Sequence, residues 1–124
     1  MDIQTLKAFP KTSFEAYEPW GKKREHYTGV SIIDLLNYLD IINSVSHIQV
    51  IAANDYKIPI KLQDLKQFEY ILAYMIDGVI LKGKKEFTKK GSIIIAINFD
   101  KNKEMDMEIY KSQLVWQVKT IIVE

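Results

Sequence analysis

Residues 47–60 read His-Ile-Gln-Val-Ile-Ala-Ala-Asn-Asp-Tyr-Lys-Ile-Pro-Ile, a stretch that predicts two strands joined by a turn. Its first seven residues are mostly apolar and predict a strand over 47–53. The adjacent Asn54 and Asp55 disfavour a strand and favour a turn, after which a short second strand is predicted. Pro59 cannot donate to a β-ladder, so the second strand is expected at a sheet edge or at a bulge.

The N-terminal side of this stretch predicts one helix. It is expected over about residues 31–40, because the apolar residues at 32, 33, 35, 36 and 39 share one helical face. Ser31 and, three residues later, Asp34 approximate a capping box. Residues 1–30 carry scattered aromatic side chains, two prolines and little periodicity, so extended segments and loops are expected there.

The C-terminal side predicts further strands. Apolar runs at 70–76 and 79–81 flank Asp77-Gly78, a pair typical of a type I′ hairpin, in which both positions need positive φ. Residues 92–97 form a continuous apolar run of buried-strand length, and a strand over 114–123 ends the chain. Short helical segments are expected at 62–66 and 104–111. The chain, 1–124, is thus predicted to be one α+β domain with a helix, about six strands after it, and a mixed or mainly antiparallel sheet.

The charge balance gives no argument for binding nucleic acid or an anionic membrane, since the formal net charge is +1. No window approaches the roughly 18 apolar residues needed to cross a bilayer, so no membrane insertion is expected. The first residues lack the basic and apolar regions of a signal peptide. A chain from which a signal peptide had been removed would look the same.

Sequence motifs for catalysis are missing. The chain contains no cysteine, which excludes disulfides, thiolate metal sites and cysteine nucleophiles. It also lacks the motifs of serine hydrolases, zinc proteases, phosphate-binding loops and dinucleotide sites. His26 and His47 stand apart from any metal-ligand spacing. We therefore predict no catalytic residues, no metal site and no enzymatic activity.

Two polar and aromatic segments, Asn54-Asp55-Tyr56 and Trp116-Gln117, lie beside apolar runs and form the candidate ligand site. A carboxylate and an amide suit the edge of a heterocycle, and Tyr or Trp rings suit its face. Each segment also has a purely structural interpretation. The first is typical of an Asx-turn, and the second of a half-buried core Trp beside an outward Gln on a strand.

Five motifs in order resemble the oxidoreductase molybdopterin-binding domain superfamily, which has the sulfite-oxidase fold. They are Tyr27-Thr28-Gly29-Val30 with Ile33-Asp34-Leu35-Leu36, Ala52-Ala53-Asn54-Asp55-Tyr56-Lys57-Ile58-Pro59, Ile71-Leu72-Ala73-Tyr74 with Asp77-Gly78, Lys90-Gly91-Ser92 with Asn98-Phe99-Asp100, and Val115-Trp116-Gln117-Val118. The resemblance covers about residues 14–124 and points to small stand-alone members. Three departures concern Ser92, where proline is usual, Ala96-Ile97-Asn98, which replaces a Tyr-Pro pattern, and Gln113, near a position that is often basic.

The resemblance implies a ligand and a partner. Catalytic members bind molybdenum through a cysteine sulfur, so this chain is expected to bind a pterin without molybdenum chemistry. Small members resemble exported pterin-binding proteins, some of which regulate membrane cyclic-di-GMP enzymes through the periplasmic domains of those enzymes. A periplasmic sensor without a metal cofactor is therefore implied. Two alternatives are a ligand-free protein-interaction module of the same fold and an accessory subunit of a redox system.

The expected site follows from the two segments. Trp116 would stack on the pterin ring or wall the pocket, and the Asn54 and Asp55 side chains would bond the amide and amino edge. Gln117 would point away from Trp116 on a regular strand, which makes it a less direct contact. The expected ligand-binding residues are Asn54, Asp55, Tyr56, Trp116, Gln117 and Trp20.

Overall fold

The computed structural model describes residues 6–18, 22–53, 55–80, 93–99 and 110–124. The strands are β1 (Thr12–Glu18), β2 (Lys23–Ser31), β3 (His47–Ala52), β4 (Lys57–Lys61), β5 (Tyr70–Ile76), β6 (Val79–Ile80), β7 (Ile94–Ile97) and β8 (Val118–Val123). The helices are α1 (Ile32–Tyr38) and α2 (Leu62–Gln67), with 3₁₀ turns at Ile42–Ser44 and Lys111–Gln113. The predicted α+β class is confirmed. Within the described ranges six strands follow α1 and two precede it.

The strands form two antiparallel sheets. In the larger sheet, β2 lies between β1 and β5, while β7 and β6 follow one another along the other side of β5. In the smaller sheet, β3 lies between β4 and β8. The predicted helix at 104–111 and the end of the 79–81 strand lie largely outside the described residues.

Helix α1 begins where the sequence predicts. The Oγ of Ser31 accepts a hydrogen bond from the backbone N–H of Asp34 at 3.3 Å, an N-cap that contributes about 1 kcal/mol. The helix buries its own Ile32, Leu35 and Leu36 side chains. The helix ends before the predicted position 40, so Leu39, expected on the buried face, is 48% exposed.

The apolar residues divide into two clusters that explain the fully buried run at 93–97. An inner cluster between the sheets takes residues from both of them, including Ile48, Val50, Leu72 and Ile95. An outer cluster on the other face of the larger sheet comprises Phe14, Ala16, Tyr27, Ile71, Ala73, Ile76, Ile94 and Ala96. Alternate residues of β7 enter opposite clusters, so both faces of this strand are apolar.

One turn prediction and one edge-strand prediction are confirmed. Asp77 and Gly78 have φ of 52° and 80°, the positive values that a type I′ turn requires. Among the described strands, β4 lies at an edge of the smaller sheet, one of the two positions that Pro59 allows. The N–H of Ala52 donates to the carbonyl oxygen of Tyr56, so this pair is hydrogen-bonded. Hydrogen-bonded and non-hydrogen-bonded pairs then alternate along the β3–β4 ladder. Gln49 and Pro59 therefore form a non-hydrogen-bonded pair, and the backbone nitrogen of Pro59 faces away from β3.

The prediction of a continuous strand over 114–123 is wrong. Strand β8 begins only at Val118, and Gln117 has a φ of 55°, a left-handed conformation that no regular strand contains. This break is what redirects the chain from the larger sheet into the smaller one. No helix in the described ranges is long and apolar enough to cross a membrane.

Candidate functional site

The turn between β3 and β4 presents two of the predicted site residues to solvent. The N–H of Asp55 donates to the carbonyl oxygen of Ala52 at 2.9 Å, and Asp55 has a φ of 66°, which Asp tolerates better than most residues. Tyr56 is 53% exposed. Asn54 lies outside the described residues.

The carboxylate of Asp55 is directed across the sheet toward β8. Its Oδ1 accepts a hydrogen bond from the Nζ of Lys119 at 3.2 Å. The two side chains are 77% and 55% exposed, so this ion pair contributes about 0–1 kcal/mol to stability. Lys119 was not predicted from the sequence, because only the pairing of β3 with β8 places it opposite the turn.

Segment 115–118 is joined to β7 and to the preceding Ile93 through its backbone. The N–H of Ile95 donates to the carbonyl oxygen of Val115 at 2.9 Å, and the N–H of Val118 donates to that of Ile93 at 2.9 Å. Val115 is buried in the inner cluster, whereas Trp116 is half-buried and packs against the outer cluster. The ring of Trp116 therefore stabilises the outer face of the larger sheet.

The two predicted segments meet in the folded chain. The N–H of Ala53 donates to the carbonyl oxygen of Gln117 at 2.9 Å, which places the β3–β4 turn beside residues 116–117. We call this meeting point the junction, consisting of residues 55–56 and 116–117 together with Lys119. The positive φ of Gln117 replaces the regular strand on which its predicted orientation rested. Trp20 lies outside the described residues.

A cavity of about 250 Å³ opens next to the junction, between the two sheets. The described residues that line it are Leu72, Ile93, Val118, Lys119, Thr120 and Ile121. Asp55, Tyr56, Trp116 and Gln117 are not among them, so Lys119 is the side chain that connects the cavity with the predicted site residues. A ligand at the junction would rest on an open surface rather than within this cavity.

Two buried carboxylates were not identified from the sequence. Glu18 and Glu25 are 5% and 2% exposed and alternate with Ala16 and Tyr27 on the outer face of the larger sheet. The hydroxyl of Tyr27 donates to Oε1 of Glu25 at 3.4 Å. Burial raises the pKa of Tyr27, and the negative charges of Glu25 and Glu18 raise it further. Period-two alternation in 14–18 and 25–27 was the available signal for this arrangement.

In the described part of the chain, no three His, Cys, Asp or Glu side chains are grouped so that they could hold a metal ion. Comparison with known proteins adds no family: the chain matches no family model and no curated protein.

Proposed function

We propose that the protein binds a planar heterocycle of the pterin class at the junction and does not catalyse a reaction. The observation that carries the proposal is the hydrogen bond between Ala53 and Gln117, which brings together two segments that are polar and aromatic and far apart in sequence. Neither segment alone offers both an exposed carboxylate and two aromatic rings.

The chemistry of the junction suits the edge and face of such a ring. The carboxylate of Asp55 can accept two hydrogen bonds from a 2-amino-pyrimidinone edge, a charge-assisted arrangement. Displacing Lys119 from Asp55 costs little free energy, since the ion pair between these two residues is exposed. The exposed ring of Tyr56 supplies an apolar surface, and Trp116 would form the wall on the side of the larger sheet.

The resemblance to the molybdopterin-binding superfamily supports the choice of a pterin over other heterocycles. It extends the proposal to a sulfite-oxidase-like fold, a periplasmic location and a sensor that acts on the periplasmic domain of a membrane cyclic-di-GMP enzyme. The absence of cysteine from the sequence argues for binding rather than molybdenum redox chemistry.

Calorimetric titration with oxidised and reduced pterins tests the proposal. Asp55→Asn should weaken binding by about tenfold or more, the loss of one charge-assisted bond. Asp40→Asn is the matched control, because Asp40 is also exposed and also has a positive φ, 58° against 66° for Asp55. Tyr56→Ala tests the aromatic surface without removing core packing. The absence of heat with every pterin would overturn the function, whereas unchanged affinity in both site variants would reject only the site.

A second candidate function is a protein-interaction module that binds no small ligand. It is favoured by the packing of Trp116 against the outer cluster and by the pairing of Asp55 with Lys119, since both site residues already have partners within the chain. This alternative predicts no pterin heat, together with capture of the periplasmic domain by the wild type and by Asp55→Asn alike.

A further inference from the structure

A second concave surface lies far from the junction along the chain, beside helix α1. This groove has a volume of about 360 Å³, within the range of small-molecule sites. It is lined by Phe9, Pro10, Val30, Asp34, Asn37 and Tyr38. Of these six described side chains, four are apolar, and the two polar ones come from α1.

The aromatic wall of the groove is held in a defined orientation. The rings of Phe9 and Tyr38 meet edge to face, with centroids 4.8 Å apart and an interplanar angle of 86°. Tyr38 is nevertheless 73% exposed, so one surface of its ring remains accessible beside the groove. Such a ring face attracts both aromatic groups and cations.

The polar end of the groove carries a negative charge. Asp34 and Asn37 are three residues apart on α1 and therefore lie on the same side of the helix. The Ser31 cap uses the backbone N–H of Asp34 and leaves its carboxylate available. Within the described part of the chain, no Lys, Arg or His forms an ion pair with this carboxylate.

We propose that the groove binds a small aromatic cation, with its ring against Phe9 and Tyr38 and its ammonium or amidinium group on the carboxylate of Asp34. The carbonyl oxygen of the Asn37 side chain accepts a second hydrogen bond from the same cationic group. An anionic ligand would be repelled by the carboxylate of Asp34. An aliphatic amine has no ring to place against Phe9 and Tyr38. This site is separate from the junction and does not depend on the proposed pterin binding.

Backbone amide NMR titration with phenethylamine tests the proposal. The expected shifts concentrate at Val30, Asn37 and Tyr38. Two matched probes, 3-phenylpropionate and hexylamine, should bind at least about fivefold more weakly, because the first reverses the charge and the second removes the ring. Equal binding by 3-phenylpropionate, or shifts spread over the whole chain, would overturn the site.

Variants separate the two halves of the interaction. Asp34→Asn should weaken phenethylamine binding about two- to fivefold and leave the neutral 2-phenylethanol unaffected. Tyr38→Ala should weaken both probes, and because Tyr38 is exposed the fold should persist. Asp40→Asn, which removes an exposed carboxylate outside the groove, should change neither. If Asp34→Asn weakened the binding of phenethylamine and 2-phenylethanol equally, the carboxylate would act only by stabilising the helix. That result would overturn the proposal that Asp34 binds the cationic group.

Discussion

The backbone N–H of Ala53 donates to the carbonyl oxygen of Gln117 at 2.9 Å, at the point where the chain passes from the larger sheet to the smaller one. Residues on either side of Gln117 bond to β7 and to β3, so the contact couples the position of the β3–β4 turn to the packing of the two sheets. The backbone segments that carry the candidate site residues are therefore the same segments that hold the two sheets together.

Gly29→Ala should strongly destabilise the protein. A Cβ at this position would lie 2.0 Å from the carbonyl oxygen of Leu72 in the neighbouring strand, and backbone cannot move aside cheaply. We expect a loss of about 3 kcal/mol or more in the free energy of unfolding, measured by urea denaturation. Gly78→Ala is the control, since its Cβ meets no described residue within 4 Å and its positive φ opposes the change by about 1 kcal/mol. Equal losses in the two variants would contradict the close approach.

Tyr74→Phe should stabilise the protein, whereas Tyr70→Phe should destabilise it. Both rings are buried on β5, but the hydroxyl of Tyr74 has no hydrogen-bond partner among the residues that the structure describes, while that of Tyr70 donates to Oε1 of Gln113 at 2.5 Å. Removing an unsatisfied buried hydroxyl gains about 1 kcal/mol or more, and removing a bonded one costs about 1 kcal/mol. Thermal and urea unfolding measure both, and a change of the same sign in the two variants would contradict the assignment.

Pro59→Val should increase self-association. The substitution restores a backbone N–H that points away from β3, at the outer edge of the smaller sheet. Sedimentation velocity at increasing protein concentration measures the effect. Pro59→Lys restores the same donor but adds a charge to the edge, so it should remain at the wild-type level. Association by both variants would mean that the charge of the edge is irrelevant.

Stability should fall as pH rises above about 10. Burial raises the pKa of Tyr27 and of Tyr70, with nearby carboxylates adding to it, so both stay protonated in the folded state while an unfolded tyrosine ionises near pH 10. The unfolded state then binds fewer protons, and each tyrosine costs about 1.4 kcal/mol of stability per pH unit above its unfolded pKa. Urea titrations between pH 9 and 11 measure the slope.

Phenylalanine variants assign that slope to particular residues. Tyr27→Phe and Tyr70→Phe should each flatten the fall of stability with pH. A slope that no single variant alters would show that other groups dominate alkaline unfolding.

Features of the fold that depend only on neighbouring residues could be predicted from the sequence. Ser31 with Asp34 marked the start of α1, Asp77-Gly78 marked a hairpin, and Pro59 marked an edge strand. In each case the backbone preference of one or two residues is the physical cause, and it acts whatever the rest of the chain does. The polar segments of the candidate site were visible for the same reason.

Which of these features lie in contact depends on the packing of the whole chain. The contact of Ala53 with Gln117, the pairing of Asp55 with Lys119 and the groove between Phe9 and α1 all depend on strand register and sheet packing. The sequence predicted a regular strand through Trp116-Gln117, but hydrogen bonds to both sheets outweigh the roughly 1 kcal/mol cost of a left-handed residue there. Long-range contacts of this kind have no local signal, because their free energy is gained only when distant segments are already in place.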